Sequence, residues 1–97
     1  MNLRRIVLDV DKAKEKPTLL EIAEVVEKVP GVAGANIAVD DIDMATVGMQ
    51  LTIEGENINY DELVSAIEKA GTAIHSIDEV AVGGRMVERI KTIPRDR

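Results

Sequence analysis

The fold is decided by two stretches that follow one pattern, IVLDVDKAKEKPTLLEIAEVVEKVP at residues 6–30 and VGMQLTIEGENINYDELVSAIEKAG at residues 47–71. Each stretch begins with apolar residues at alternate positions, which is the period of a half-buried β-strand. These positions are Ile6, Leu8 and Val10 in the first stretch and Val47, Met49 and Leu51 in the second, 41 residues later. The shared offset indicates that one structural unit occurs twice.

Each stretch continues with the start signal of a helix. In the first stretch, Thr18 precedes Glu21 by three residues. In the second stretch, Asn59 stands in the same relation to Glu62. A polar cap residue followed by a glutamate at the third helical position is the pattern of a capping box, in which each residue bonds the backbone of the other. Apolar residues then recur at helical spacing and a glycine follows, so we expect two short amphipathic helices.

The remaining segments predict two further strands. One begins at about Val32 and leads through an acidic turn at residues 40–43, and the other begins near Ala73. The last strand does not alternate cleanly, so we expect a bulge in it or an extension of the sheet. The order βαβ, used twice, predicts an α+β fold: a ferredoxin-like βαββαβ sandwich with a four-stranded antiparallel sheet and two helices on one face. On the open face, the alternation predicts Val7, Asp9, Asn36, Ala38, Gln50 and Thr52, with Glu54 towards one edge.

Composition excludes several classes of protein. The chain has 97 residues, enough for one hydrophobic core, and its formal net charge of −6 disfavours nucleic acid as a partner. It has no cysteine, which excludes a disulfide scaffold, a thiolate metal site and a cysteine nucleophile. Tyr60 is the only aromatic residue, so no aromatic platform exists for bases. No apolar run approaches the roughly 20 residues that span a bilayer, and we expect a cytoplasmic protein without a membrane partner.

Three blocks of the sequence resemble one archaeal family. They are RRIVLDV at residues 4–10, TIEG at residues 52–55 followed by YDE at residues 60–62, and IHSIDEV at residues 74–80. In this order they are similar to the domain of unknown function 211, and the likeness extends over nearly the whole chain. The resemblance implies a ferredoxin-like fold, a cytoplasmic archaeal protein and a ring-like homo-oligomer. It implies no established activity.

Nothing in the sequence supports an enzyme. His75 is the only histidine and is adjacent to Ser76, so on a regular strand the two side chains point to opposite faces and form no Ser-His pair. No phosphate-binding loop of the GxxxxGK[ST] type occurs. Carboxylates are abundant, but acid–base catalysis requires one of them to have a raised pKa, which a sequence does not reveal. We therefore favour a protein without catalytic activity.

The first hypothesis is a structural or regulatory module that assembles with copies of itself. Residues 1–84, the predicted domain, carry seven basic and sixteen acidic side chains, a net charge of −9. Residues 85–97, a basic C-terminal extension, carry five and two, a net charge of +3. Opposite charges favour packing of this extension on the domain or on a neighbouring subunit. The candidate contact residues are Met86, Val87, Arg89 and Ile90, with further charges at Arg85, Lys91 and Arg95 and a further apolar residue at Ile93.

The alternative hypothesis is a binding module for a divalent cation or a small ligand. Ca²⁺ and Mg²⁺ bind oxygen ligands, and the sequence is richest in carboxylates at Asp40, Asp41 and Asp43, joined by Asp9 or Asp11 from the first strand. These acids do not continue as an EF-hand loop, because the glycine and glutamate of that motif are missing. A site would therefore be built from strands and loops, on the open sheet face, or between subunits.

Overall fold

The elements of the protein follow the predicted order in a computed structural model that describes residues 1–90. They are β1 (Leu3–Ala13), α1 (Leu19–Glu27), β2 (Val32–Ile42), β3 (Thr46–Gly55), α2 (Tyr60–Lys69) and β4 (Ala73–Val82). The four strands form one antiparallel sheet in the order β2-β3-β1-β4. This arrangement confirms the ferredoxin-like α+β fold. Neither helix within residues 1–90 is long and apolar enough to cross a membrane.

The core lies between the sheet and the two helices. Alternate residues of the central strands β1 and β3 face it, and the register sets Leu8 opposite Leu51. Both of these side chains are completely buried, and burying a leucine contributes about 1.5–3 kcal/mol. The helices supply the other half of the core through Ile22, Val26, Leu63 and Ile67. The apolar periodicity of the two repeats therefore builds one continuous core.

The two helix starts differ in detail. At α1 the capping box is complete, because Thr18 Oγ1 accepts from the Glu21 backbone and Glu21 Oε1 accepts from the Thr18 backbone. At α2 only half of it forms. Asn59 Oδ1 accepts from the Glu62 N–H at 3.0 Å. The Asn59 N–H donates instead to Pro30 O at 3.0 Å, which ties the start of α2 to the turn that follows α1.

Two boundaries differ from the sequence prediction, since the charged run at residues 12–17 predicts a loop and the acidic run at residues 40–43 predicts a turn. β1 continues through Lys12 to Ala13, and the buried Lys12 stem directs its ammonium group to the carbonyl oxygens of Ala13 and Lys14, both at 3.0 Å. This is how a long amphipathic side chain occupies a core-facing position while its charge stays hydrogen-bonded. The predicted acidic turn at residues 40–43 is wrong in its extent, because β2 continues to Ile42 and the turn begins at Asp43.

The predicted irregularity of the last strand is confirmed. Between Val7 and Leu8 of β1, the paired residue on β4 moves from Glu79 to Ile77, which leaves Asp78 as an extra residue. Between Asp9 and Val10 it moves from Ser76 to Ile74, which leaves His75 as a second extra residue. Extra residues of this kind redirect the side chains of a strand. They explain why simple alternation does not assign His75 to a face.

Candidate functional site

The open face of the sheet carries the residues that alternation predicted. Val7 of β1 is paired with Thr52 of β3, and Thr52 is paired with Asn36 of β2. One step along the strands, Asp9, Gln50 and Ala38 form the next row. These rows set polar and small side chains next to one another on a surface that no helix covers. The open face is therefore the candidate surface for a binding site.

Four of the five predicted oxygen ligands lie together at one end of this face. A recess of about 450 Å³ is lined by Asp9, Asp11, Asp40, Asp41 and His75. The register explains the grouping, because Gly48 of β3 is paired with Asp11 on one side and with Asp41 on the other. Three adjacent strands thus contribute to one acidic recess.

Gly48 provides the space in which these carboxylates meet. A Cβ atom at position 48 would lie 3.3 Å from Asp40 Oδ1 and 3.5 Å from Asp11 Oδ1. The two oxygens therefore approach the same point from opposite sides of β3. Asp40 reaches that point because the register of β2 shifts between Val39 and Asp41. Sequence analysis identified the acids but not this glycine, which has no charge or motif to mark it.

The fifth predicted ligand, Asp43, does not line the recess. It lies in the β2–β3 turn, where its Oδ1 atom accepts from the Met44 N–H at 2.7 Å. The part of the chain that the structure describes contains no group of three or more His, Asp or Glu side chains arranged to hold one metal ion. A cation in the recess would therefore need further ligands from water or from another molecule.

His75 borders the same recess on the β4 side. Its Nδ1 atom is 3.7 Å from Asp9 Oδ2, beyond hydrogen-bond distance, and both side chains are partly exposed. A protonated His75 would form an ion pair with Asp9. The neighbouring Ser76 hydroxyl donates to Asp78 Oδ1 at 2.7 Å, so its hydrogen bond goes to a carboxylate and not to the imidazole.

A second charged cluster lies at the opposite end of the open face, around Arg5. Its Nε atom donates to Glu54 Oε2 at 2.8 Å, and its Nη1 atom donates to Glu79 Oε2 at 3.2 Å. The guanidinium also forms two hydrogen bonds with Glu88, 2.7 Å from Nη1 to Oε1 and 2.9 Å from Nη2 to Oε2. These three carboxylates, Glu88 first among them, raise the pKa of Arg5. Sequence analysis missed this cluster because Glu88 lies 83 positions from Arg5.

Comparison with known proteins identifies the family of this chain. The model of the domain of unknown function 211, an uncharacterised family also labelled ArCR, matches residues 4–97. The chain belongs to this family. It is also similar to the uncharacterised protein MJ0319 of Methanocaldococcus jannaschii, with 42% identity over 95 residues, which cover 98% of this chain and 96% of that protein. The predicted family resemblance is confirmed, and the archaeal relative agrees with the expected origin.

This member of the domain of unknown function 211 family exposes apolar side chains on both outer strands. Along β4, a recess of about 200 Å³ has a wholly apolar lining that includes Tyr60, Ile77, Val80 and Val82. Val80 is 57% exposed. At the end of β2 and in the turn that follows, Ile42 is 65% and Met44 is 91% exposed. Neighbouring exposed apolar side chains mark contact surfaces in soluble proteins, so both edges are candidate contact surfaces.

The structure describes the first six residues of the C-terminal extension, and these include its four predicted contact residues. Residues 85–90 contain no helix or strand, and among them Met86 is half-buried while Val87, Arg89 and Ile90 are exposed. The extension leaves β4 through Gly83 and Gly84, whose carbonyl oxygens accept from Arg4 at 2.7 and 2.9 Å. The other predicted residues of the extension, Lys91, Ile93 and Arg95, lie outside the described residues.

Proposed function

We propose that the protein is a homo-oligomeric assembly or regulatory module without catalytic activity. The observation that supports this proposal best is the exposure of apolar side chains on both outer strands. The outer strand β2 also has unpaired backbone N–H and C=O groups along its free edge, which favour addition of another strand. Association would bury these apolar side chains and pair these backbone groups. A domain of this size has a small core, so the additional burial would increase its stability.

The two outer strands present different surfaces, and this difference bears on the geometry of assembly. On β4 the apolar side chains surround a recess beside Tyr60, whereas on β2 they project from the strand end and the adjacent turn. Two different, non-overlapping patches favour head-to-tail contacts over a two-fold dimer. Head-to-tail contacts generate a ring when the rotation between copies closes. This is the form of oligomer that we propose.

The charge distribution supports self-association independently. The acidic body of the chain, with a net charge of −9, would attract the basic extension of a neighbouring copy, with a net charge of +3. Such complementarity orients partners and accelerates their encounter more than it adds affinity. A ring joined in this way should therefore form more slowly at high salt concentration.

Native mass spectrometry tests the proposal directly, because it reports subunit number and any retained ligand in one spectrum. The wild-type chain should give a discrete species larger than a monomer. Val80→Asp adds a charge to the apolar surface of β4 and should shift that species to smaller masses. Lys28→Gln is the matched control, since it changes the net charge by the same amount at an exposed helix end. A wild-type monomer at micromolar concentration would contradict the proposal.

Binding of Ca²⁺ or Mg²⁺ is a second candidate function, and the convergence of Asp11 and Asp40 over Gly48 favours it. Both ions bind carboxylate oxygens, and Ca²⁺ takes 6–8 oxygen ligands, so water or a second copy would complete the site. Millimolar Ca²⁺ should then raise the melting temperature of the wild type, while Asp40→Asn should abolish the increase. Asp43→Asn, which changes a carboxylate outside the recess, should retain it. An unchanged wild-type melting temperature would exclude a specific site.

A further inference from the structure

Residues 85–90 cross one end of the open face and are held there by charge. The carboxylate of Glu88 forms two parallel hydrogen bonds with the Arg5 guanidinium, at 2.7 and 2.9 Å. Paired contacts of this kind fix orientation as well as position. Arg4 anchors the beginning of the segment by donating to the carbonyl oxygens of Gly83 and Gly84. The segment therefore has one anchor at each end, and both anchors are arginines of β1.

The sheet surface next to these anchors is less exposed than is expected of a face that no helix covers. Val7 and Ala81 lie on the side of the sheet without helices, yet they are only 8% and 7% exposed. Ala81 is paired directly with Arg5, the residue that Glu88 contacts. Met86, between the two anchors, is the half-buried apolar residue of the segment. Ala38, on the same face but separated from β4 by two strands, is exposed.

The contacts that hold the segment are few. Within the described part of the chain, no backbone hydrogen bond joins residues 85–90 to the sheet. Glu88 also approaches a guanidinium that Glu54 of β3 and Glu79 of β4 already share. Three carboxylates around one positive charge repel one another. Arg5 remains paired with two of them when Glu88 leaves. Departure of the segment therefore leaves no partly buried charge without a partner.

The connection between β4 and the segment permits movement. Gly83 has φ of +116°, a conformation that residues with a side chain rarely adopt, and its N–H donates to Asn2 O at 2.9 Å. This bond fixes the end of the sheet. Gly84 follows and has open space around it. Because Arg4 holds the carbonyl oxygens of both glycines, the segment can pivot beyond Gly84 while β4 stays in place.

We infer that residues 85–90 form a strap, closed by the Glu88–Arg5 ion pair, which covers the apolar strip of Val7 and Ala81 and exposes it when that pair breaks. The strap acts within one chain and does not depend on contacts between outer strands. Because Arg5 lowers the pKa of Glu88, the closed state is favoured while Glu88 is ionised. Four charged groups form and surround this ion pair. They are Arg5 of β1, Glu54 of β3, Glu79 of β4 and Glu88 of the strap.

A cysteine reporter beneath the strap tests this inference. The chain has no cysteine, so Ala81→Cys gives one thiol under the strap and Ala38→Cys gives one on the uncovered part of the same face. The rate of reaction with a maleimide is then measured for each. Adding Glu88→Gln should increase the Ala81→Cys rate about twofold to fivefold, as expected from loss of one ion pair. The Ala38→Cys rate should not change.

Two controls make the result decisive. Glu68→Gln removes a charge from an exposed helix position and should leave the Ala81→Cys rate unchanged. Raising the salt concentration from about 0.05 M to about 1 M should reproduce the effect of Glu88→Gln, because salt screens the Glu88–Arg5 ion pair. Equal labelling of Ala81→Cys with and without Glu88→Gln would overturn the inference. So would a wild-type Ala81→Cys rate as fast as that of Ala38→Cys, since the strip would then be uncovered.

Discussion

Asp11 and Asp40 each direct one carboxylate oxygen to the same point above Gly48, although they belong to strands separated by β3. Within residues 1–90, neither carboxylate forms an ion pair with a lysine or arginine. Their mutual repulsion is therefore uncompensated in a chain without bound cation. The fold therefore places two like charges near each other on the open face without a lysine or arginine beside them.

Removing one of these charges should therefore stabilise the protein. We expect Asp40→Asn, measured by urea unfolding at low salt with a chelator present, to increase the free energy of unfolding by no more than about 0.5 kcal/mol, because Asp40 is exposed and the two charges lie on strands separated by β3. Glu15→Gln, in the exposed loop after β1, is the control and should have no effect. A decrease for Asp40→Asn would show that its carboxylate makes a net favourable interaction in the free protein.

Acid should weaken the start of α1. The hydrogen bonds with Thr18 lower the pKa of Glu21 below its ordinary value of 4.5. A carboxyl whose pKa is lower in the folded than in the unfolded state stabilises the fold above the unfolded value, and this contribution is lost as pH falls through the folded value. The stability difference between wild type and Glu21→Gln should therefore shrink below pH 4.5. A difference that stays constant down to pH 3 would contradict the capping role.

The core should depend strongly on the central strand pair. Leu51→Ala leaves a cavity opposite Leu8 and should lower the free energy of unfolding by about 2–5 kcal/mol. Gln50→Ala replaces the neighbouring residue, whose side chain lies on the open face. It should change the free energy of unfolding by no more than about 0.5 kcal/mol. Chemical unfolding followed by circular dichroism measures both variants. Similar losses for the two variants would contradict the assignment of faces.

The C-terminal extension should contribute to assembly. Replacing Met86, Val87 and Ile90 together by serine removes its apolar side chains within the described residues and should shift the oligomer to smaller species. Size-exclusion chromatography with light scattering gives the mass. Ala13→Ser, at the exposed end of β1, is the control. An unchanged mass for the triple variant would contradict a role of the C-terminal extension in assembly.

The sequence predicts the fold because its signals are local. Thr18 and Glu21 are three positions apart and form the capping box that their spacing indicates. The apolar alternation of β3 likewise gives its buried face directly. Asp40 and Asp41 were misleading, since acidic runs are typical of turns, but here they continue β2 beside a glycine that leaves room for their side chains.

The sites were less predictable because they depend on long-range pairing. Four acids of the recess could be named, but their convergence depends on a register shift in β2 and on Gly48. The position of His75 depends on two extra residues in β4. The Arg5–Glu88 pair joins residues at opposite ends of the chain, and a sequence with eighteen acidic residues offers many equivalent partners for one arginine.

The extra residues at Asp78 and His75 also bear on aggregation. A flat outer strand is a template on which unrelated chains can grow into fibrils, and bulges spoil that template because they twist the edge and interrupt its hydrogen-bonding pattern. β4 carries two such interruptions within ten residues. Its edge should reject a straight foreign strand along most of its length. Fibrils should therefore not grow from β4 at high protein concentration, even though this strand exposes apolar side chains.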